Sequence, residues 1–137
     1  MSERHIDVFF YGLFMDADLL RSKGVNALNL RRARVPGFEL RIGARATLVQ
    51  RPGASAHGIL MGLTHEQIER LYSESSVAAY RPEPVLAEVA GGSTIAALCF
   101  NLVEPPQETD RNPEYAAKLR ELAQKLQLPD EYIARIH

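Results

Sequence analysis

Two short segments of the chain combine residue types that could carry anion-binding or acid–base chemistry. The first, Tyr11-Gly12-Leu13-Phe14, follows an apolar run and contains a turn-forming glycine. Backbone N–H groups exposed at such a turn, next to a helix N-terminus, can bind a carboxylate or carbonyl oxygen. The second contains Glu74, which stands among small residues after a short predicted helix. A carboxylate there could act as a general acid or base, or it could be a solvent-facing loop residue.

The residues on either side of the first segment predict a strand before it and a helix after it. Residues 6–11 are rich in β-branched and aromatic side chains and predict a strand that stops at Gly12. Residues 16–22 have the composition of a helix, which Gly24 closes. The Tyr11-Gly12 turn is therefore expected between a strand and a helix.

Turn chemistry divides the next part of the chain. Val35-Pro36-Gly37 and Arg51-Pro52-Gly53 predict turns, with short strands at residues 38–43 and 47–50 between them. We expect the basic cluster before them, at residues 31–34, to be a solvated loop.

A third segment, residues 56–63, suits a strand whose main role is core packing. It contains Gly58 and Gly62, and glycine inside a strand often marks a bulge or a close backbone approach. Thr64 and Gln67 then match a capping box and predict a short helix before the Glu74 loop.

The last third of the chain predicts a hairpin followed by helices. Residues 83–90 and 94–102 are strand-like and are joined by Gly91-Gly92-Ser93, a hairpin signal. Asn112 caps a helix whose first residue is Pro113, and Pro129 opens a final short helix. The apolar stripe of the first of these helices is formed by Tyr115, Leu119, Leu122 and Leu126.

This order of elements has no regular alternation of strand and helix. It favours an α+β fold, with a small, mixed but mainly antiparallel sheet or barrel and flanking helices. A length of 137 residues suits a single domain over residues 1–137.

Composition excludes several classes of protein. Apolar residues make up 46% of the chain and its formal net charge is −1, which argues against disorder and against a general attraction to nucleic acid or membrane. Cys99 is the only cysteine, and we expect a buried thiol there. The four histidines lack ligand spacing, so we expect no metal site. The N-terminal segment lacks the pattern of a signal sequence, so we expect a cytoplasmic protein.

Taken together, the motifs resemble the γ-glutamylcyclotransferase-like (AIG2-like) family. The resemblance rests on a strand ending in Tyr11-Gly12, a strand with His57-Gly58-Ile59-Leu60, the loop at Glu74, and Tyr80-Arg81 beyond it. It spans about residues 7–102. It implies a small mixed barrel with flanking helices and a cavity closed by the Tyr-Gly loop.

The resemblance also implies a reaction. In active family members a γ-glutamyl group cyclises to 5-oxoproline and releases an amine, amino acid or peptide, without a cofactor or metal. It implies that Glu74 is the acid/base catalyst. It further implies that the small-molecule γ-glutamyl substrate is bound by Tyr11, Gly12, Leu13, Phe14 and Tyr80.

This chain departs from the family pattern at several positions. Leu13 and Phe14 replace a small polar pair, Tyr72 replaces an aspartate, and Ser75 replaces a glycine. The more apolar loop favours an alternative, a non-catalytic small-molecule binding or regulatory module on the same fold.

Overall fold

The computed structural model describes residues 4–137, in which five strands form a closed barrel in the order β1-β3-β2-β4-β5. The strands are β1 (His5–Phe10), β2 (Leu28–Ile42), β3 (Ala46–Thr64), β4 (Tyr80–Val89) and β5 (Thr94–Leu102). The helices are α1 (Ala17–Ser22), α2 (His65–Tyr72), α3 (Pro113–Lys125) and α4 (Asp130–Ala134), with short 3-10 helices at Leu13–Met15 and Ser75–Val77. The predicted α+β class, with a mainly antiparallel barrel and flanking helices, is confirmed.

Strand β1 closes the barrel. It pairs antiparallel with β3, with Phe10 opposite Ile59, and it pairs parallel with β5, with Val8 opposite Leu98. Its residues Val8, Phe9 and Phe10 are buried, as expected for a strand with neighbours on both edges. The chain therefore leaves β1 at a fixed point of the barrel wall, directly before Tyr11.

Gly58 on β3 permits this closure. A Cβ atom added at Gly58 would collide with the backbone carbonyl of Phe10, far inside van der Waals distance. The predicted close backbone approach in this strand is thus confirmed at Gly58. At Gly62, by contrast, an added Cβ would meet its nearest neighbour at an ordinary 3.6 Å.

The two predicted proline–glycine turns are wrong. Pro36-Gly37 lies inside β2 and Pro52-Gly53 inside β3, and the two strands form one long hairpin. The register shifts between Pro36 and Phe38, and both glycines have positive φ, 84° at Gly37 and 85° at Gly53. The turn-forming residues produce an irregularity within the paired strands, and pairing resumes on both sides of it.

The basic cluster at residues 31–34 lies on β2 and is not a loop, so that prediction is also wrong. Arg31 donates to Asp7 at 2.9 Å, and Arg34 forms an ion pair with Glu88. Strands β1 and β4 therefore supply acidic partners for two side chains that the sequence pattern assigned to solvent.

The hairpin β4–β5 and the helix caps are confirmed. Gly91 and Gly92, with φ of 91° and 87°, lie in the predicted turn between the antiparallel strands β4 and β5. Both hydrogen bonds of the capping box between Thr64 and Gln67 are present at the start of α2. Asn112 caps α3 by accepting from the N–H of Tyr115.

The core includes the barrel interior and the inner face of α3. Leu119 on α3 is buried, and Tyr115, Leu122 and Leu126 pack against the core, so the predicted apolar stripe is confirmed. Cys99 is a buried free thiol, as expected, and burial raises its pKa. In residues 4–137, no helix is both long and apolar enough to cross a membrane.

The close approach at Gly58 gives a direct stability test. Gly58→Ala should lower the free energy of unfolding by at least about 2 kcal/mol, near the upper end of overpacking costs, because the colliding atom belongs to the backbone. The matched control Gly62→Ala, on the same strand, should change it by less than about 1 kcal/mol. Urea denaturation of both variants measures the difference. Equal stability of the two variants would contradict the role given to Gly58.

Candidate functional site

A cavity of about 350 Å³ opens beside the end of β1. It brings together residues that the sequence placed in separate segments. The predicted site residues that line it are Tyr11, Gly12, Leu13, Phe14, Glu74 and Tyr80. Residues that the sequence reasoning did not assign to the site also line it, among them Lys23, Arg45, Tyr72 and Tyr115.

The loop after β1 lines the cavity and begins a short helix there. The 3-10 helix Leu13–Met15 begins after Gly12, and its first hydrogen bond runs from the Met15 N–H to the Gly12 carbonyl at 3.0 Å. The N–H groups of Leu13 and Phe14 precede that bond and have no acceptor within the helix. The Tyr11 hydroxyl donates to the Phe100 carbonyl at 2.6 Å, so it ties the loop to β5.

A neighbouring side chain, and not the backbone angles, restricts the residue at position 12. Its φ of −111° and ψ of −153° are extended values that other residues adopt. A Cβ at this position would lie 2.7 Å from the hydroxyl of Tyr115, which reaches the loop from α3. The sequence pattern placed Tyr115 only in the core stripe of α3.

Aromatic rings form one wall of the cavity. Tyr72 stacks on Phe100 with ring centroids 4.0 Å apart, and Phe14 meets Tyr72 edge-on at 5.9 Å. Tyr80 lies 6.3 Å from Tyr72, and its hydroxyl donates to the Ala46 carbonyl. Tyr72, which stands where the family pattern has an aspartate, is therefore part of this wall.

Glu74 forms an ion pair inside the cavity. The Nζ of Lys23 donates to both Glu74 carboxylate oxygens at 2.9 Å. The Glu74 side chain is 41% exposed and that of Lys23 is 25% exposed. Glu74 is thus a partly enclosed, paired carboxylate and not a freely solvated one. An ion pair this exposed adds little to the stability of the fold. Its position in the cavity therefore matters more for the site than for folding.

Lys23 is held beside Glu74 by packing on both sides. It ends α1 between Leu20 and Val25, both fully buried. Arg70 on α2 donates to the Gly24 carbonyl at 3.2 Å and so joins the end of α1 to the helix that leads to Glu74. A lysine at a helix end is common, and no local signal in the sequence points to a partner so far along the chain.

The tyrosines of the cavity are neutral hydroxyls. Burial raises the pKa of Tyr11 and Tyr72 well above the usual value, and raises that of Tyr80 to about 12. Burial also raises the pKa of Tyr115, although the Leu13 backbone beside its hydroxyl opposes the shift. These groups can donate hydrogen bonds at neutral pH but do not act as bases. Among the side chains that line the cavity, Glu74 carries the one carboxylate.

The cavity has a second cationic side chain besides Lys23. Arg45, in the turn between β2 and β3, lines the cavity and is exposed. Over residues 4–137, no group of three or more His, Cys, Asp or Glu side chains is arranged to hold a metal ion.

Comparisons with known proteins find a matching family model and similar solved structures. Residues 8–119 match the family model described as gamma-glutamyl cyclotransferase, AIG2-like. No curated protein sequence matches the chain significantly.

Solved structures of this fold are similar over most of the chain. One described as a gamma-glutamyl cyclotransferase has a TM-score of 0.76 at 18% identity, over 96% of this chain and 86% of that one. YkqA from Bacillus subtilis has a TM-score of 0.79 at 24% identity, over 96% of this chain but 52% of its own. An aig2-like protein from Mus musculus has a TM-score of 0.58 at 13% identity, over 82% of each chain. At these identities the likeness shows the fold.

The contact between Gly12 and Tyr115 predicts an energetic coupling. Gly12→Ala should lower the free energy of unfolding by about 1–3 kcal/mol, because the added methyl group must displace the Tyr115 hydroxyl. In a Tyr115→Phe background the same change should cost markedly less. Denaturation of the wild type, both single variants and the double variant measures the coupling. Strictly additive costs would show that the hydroxyl does not require glycine at this position.

Proposed function

The chain belongs to the gamma-glutamyl cyclotransferase, AIG2-like family, and we propose that it is an enzyme that cyclises a γ-glutamyl group. Its substrate is a small molecule in which the γ-carboxyl of glutamate forms an amide with an amine, amino acid or peptide. The products are 5-oxoproline and the released amine, amino acid or peptide.

One observation carries this proposal. The Glu74 carboxylate lines the same cavity as the Tyr11-Gly12-Leu13-Phe14 loop, and Lys23 holds it there at 2.9 Å. A base and a set of backbone donors facing one enclosed space are the two components that acyl transfer to an amine requires.

The proposed reaction balances without a cofactor. The α-amine of the γ-glutamyl group attacks its own side-chain amide carbon, which forms the lactam C–N bond. The C–N bond to the leaving group breaks. The α-ammonium loses two protons as it becomes the lactam N–H: one is transferred to the leaving nitrogen, and the other goes to the released amine or to solvent. Both reacting groups belong to one molecule, so the cavity needs only to hold it folded.

Glu74 moves the proton in this proposal. At neutral pH the α-amine is mostly an ammonium ion and cannot attack until it loses a proton. The carboxylate accepts that proton and then returns it to the leaving nitrogen, which makes Glu74 base and acid in turn. Neutral Tyr72 nearby can donate a hydrogen bond to the substrate, whereas the Tyr80 hydroxyl already donates to the Ala46 carbonyl. Neither tyrosine competes for the proton.

The loop after β1 stabilises the developing negative charge in this proposal. The N–H group of Phe14 precedes the first hydrogen bond of the 3-10 helix, so it can donate to the amide oxygen as it becomes an oxyanion. The Leu13 backbone already has the Tyr115 hydroxyl as a partner. The Phe14 donor belongs to the backbone, so Leu13 and Phe14 in place of a small polar pair leave it intact. The two side chains make the cavity more apolar.

A second candidate function is a binding or regulatory module that does not turn over its ligand. The observation that favours it is that both Glu74 oxygens are already bound by Lys23. If a ligand does not open this pair, the carboxylate is not free to take a proton. The aromatic wall would then serve binding alone.

The catalytic role of Glu74 predicts a large loss of turnover in Glu74→Gln. The glutamine keeps the shape but cannot accept the proton, so the rate of 5-oxoproline release should fall about 10²–10⁴-fold. Release is measured with a panel of γ-glutamyl amino acids, peptides and amines. The control Glu69→Gln, an exposed residue on α2, should behave like the wild type.

Two outcomes would count against the enzyme as proposed. Equal rates for wild type and Glu74→Gln would remove Glu74 as the base. A wild type that binds members of the panel yet releases no 5-oxoproline would favour the binding module.

A further inference from the structure

The charges of the Lys23–Glu74 pair are complementary to those of an α-amino acid. It presents an ammonium and a carboxylate in direct contact at 2.9 Å, within the cavity. The head group of a γ-glutamyl compound carries an ammonium and a carboxylate on one carbon atom. Placed against the pair, each charge of that head group faces its opposite.

We infer that Lys23 and Glu74 together form the subsite for this zwitterionic head group, with Lys23 binding the α-carboxylate and Glu74 binding the α-ammonium. The inference rests on the proposed function for the identity of the ligand. It adds a substrate-binding role for Lys23 and a requirement for a free α-carboxylate.

Charge balance is the physical reason why this pair favours a zwitterionic head group. When the ligand opens the Lys23–Glu74 contact, both protein charges regain an opposite partner, so no half-buried charge is left unpaired. A ligand that carries the amine but lacks the carboxylate would leave Lys23 unpaired. It would also bring its ammonium close to the Lys23 ammonium, and this repulsion opposes binding.

The position of Lys23 suits this role. Its backbone lies between the buried residues Leu20 and Val25, and Arg70 ties the end of α1 to α2. The flexible lysine side chain can therefore follow the ligand carboxylate while its base stays fixed.

Arg45 is the competing cation in the same cavity. It is exposed in the β2–β3 turn, whereas Lys23 is about three-quarters enclosed and already touches the proposed base. Because the α-ammonium and the α-carboxylate share one carbon atom, the cation that contacts Glu74 is the better placed of the two.

The kinetic test compares two anilides that differ only in the α-carboxylate. γ-Glutamyl anilide and 4-aminobutyryl anilide can both form a five-membered lactam and release aniline. Wild type should prefer the first by about tenfold or more in kcat/KM, since a charge-assisted contact is lost with the second. Lys23→Met should erase most of that preference and Lys23→Arg should keep most of it. Lys125→Met, an exposed residue at the end of α3, should leave it unchanged.

The binding test does not depend on turnover. 5-Oxoproline and 2-pyrrolidone form the matching product pair, and their affinities for wild type, Lys23→Met and Lys23→Arg are measured by calorimetry. If neither anilide reacts but 5-oxoproline binds in preference to 2-pyrrolidone and Lys23→Met removes the preference, the subsite stands while the proposed reaction fails.

Three results would overturn the inference. If Lys23→Met slows both anilides by the same factor, Lys23 only holds Glu74 in place. If Arg45→Met erases the preference and Lys23→Met does not, Arg45 binds the carboxylate. If wild type shows no preference between the two anilides or between the two lactams, the cavity does not recognise the α-carboxylate.

Discussion

Closure of the barrel through β1 is the constraint on which the rest of the structure depends. This strand pairs with β3 along its whole length, from His5 opposite Thr64 to Phe10 opposite Ile59, and it meets β5 in parallel. The absence of a side chain at Gly58 lets the Phe10 carbonyl approach β3. The Tyr11 hydroxyl then fixes the chain to the Phe100 carbonyl on β5. The loop that follows is therefore held from two sides before any ligand is present.

Much of the fold could be predicted because its signals are local. The Gly91-Gly92 turn, the capping box of Thr64 and Gln67, and the Asn112 cap each involve residues a few positions apart. Pro36-Gly37 and Pro52-Gly53 are equally local signals, yet they lie inside paired strands. Proline and glycine fix backbone angles, but whether the chain reverses or only bulges depends on what lies opposite. That information is not present in either segment.

The candidate site also combines residues that local motifs predict with residues that no local motif predicts. Motifs in the sequence point to Tyr11, Gly12, Glu74 and Tyr80, because the motifs lie in consecutive order and the family resemblance connects them. Lys23 contacts Glu74 across 51 positions of sequence, and Tyr115 approaches Gly12 from a helix near the other end of the chain. Such pairs arise from the path of the closed barrel. No periodicity or spacing in the sequence reports them.

The apolar residues at Leu13, Phe14 and Tyr72 also have a clearer meaning in three dimensions. Phe14 packs edge-on against Tyr72, which stacks on Phe100, so two of the three positions belong to a continuous aromatic wall. This wall is apolar, whereas the Lys23–Glu74 pair that also lines the cavity is charged. A γ-glutamyl compound has the same division, with a charged head group at one end and a variable leaving group at the other.

The central claim is that this cavity holds the reacting atoms between Glu74 and the loop after β1. An experimental structure of the chain with bound 5-oxoproline tests it most directly. The account predicts the ring nitrogen within hydrogen-bond reach of a Glu74 oxygen, about 2.6–3.2 Å, with the lactam oxygen facing the N–H group of Phe14. A 5-oxoproline molecule bound with its ring nitrogen turned away from Glu74, or bound outside this cavity, would contradict the account.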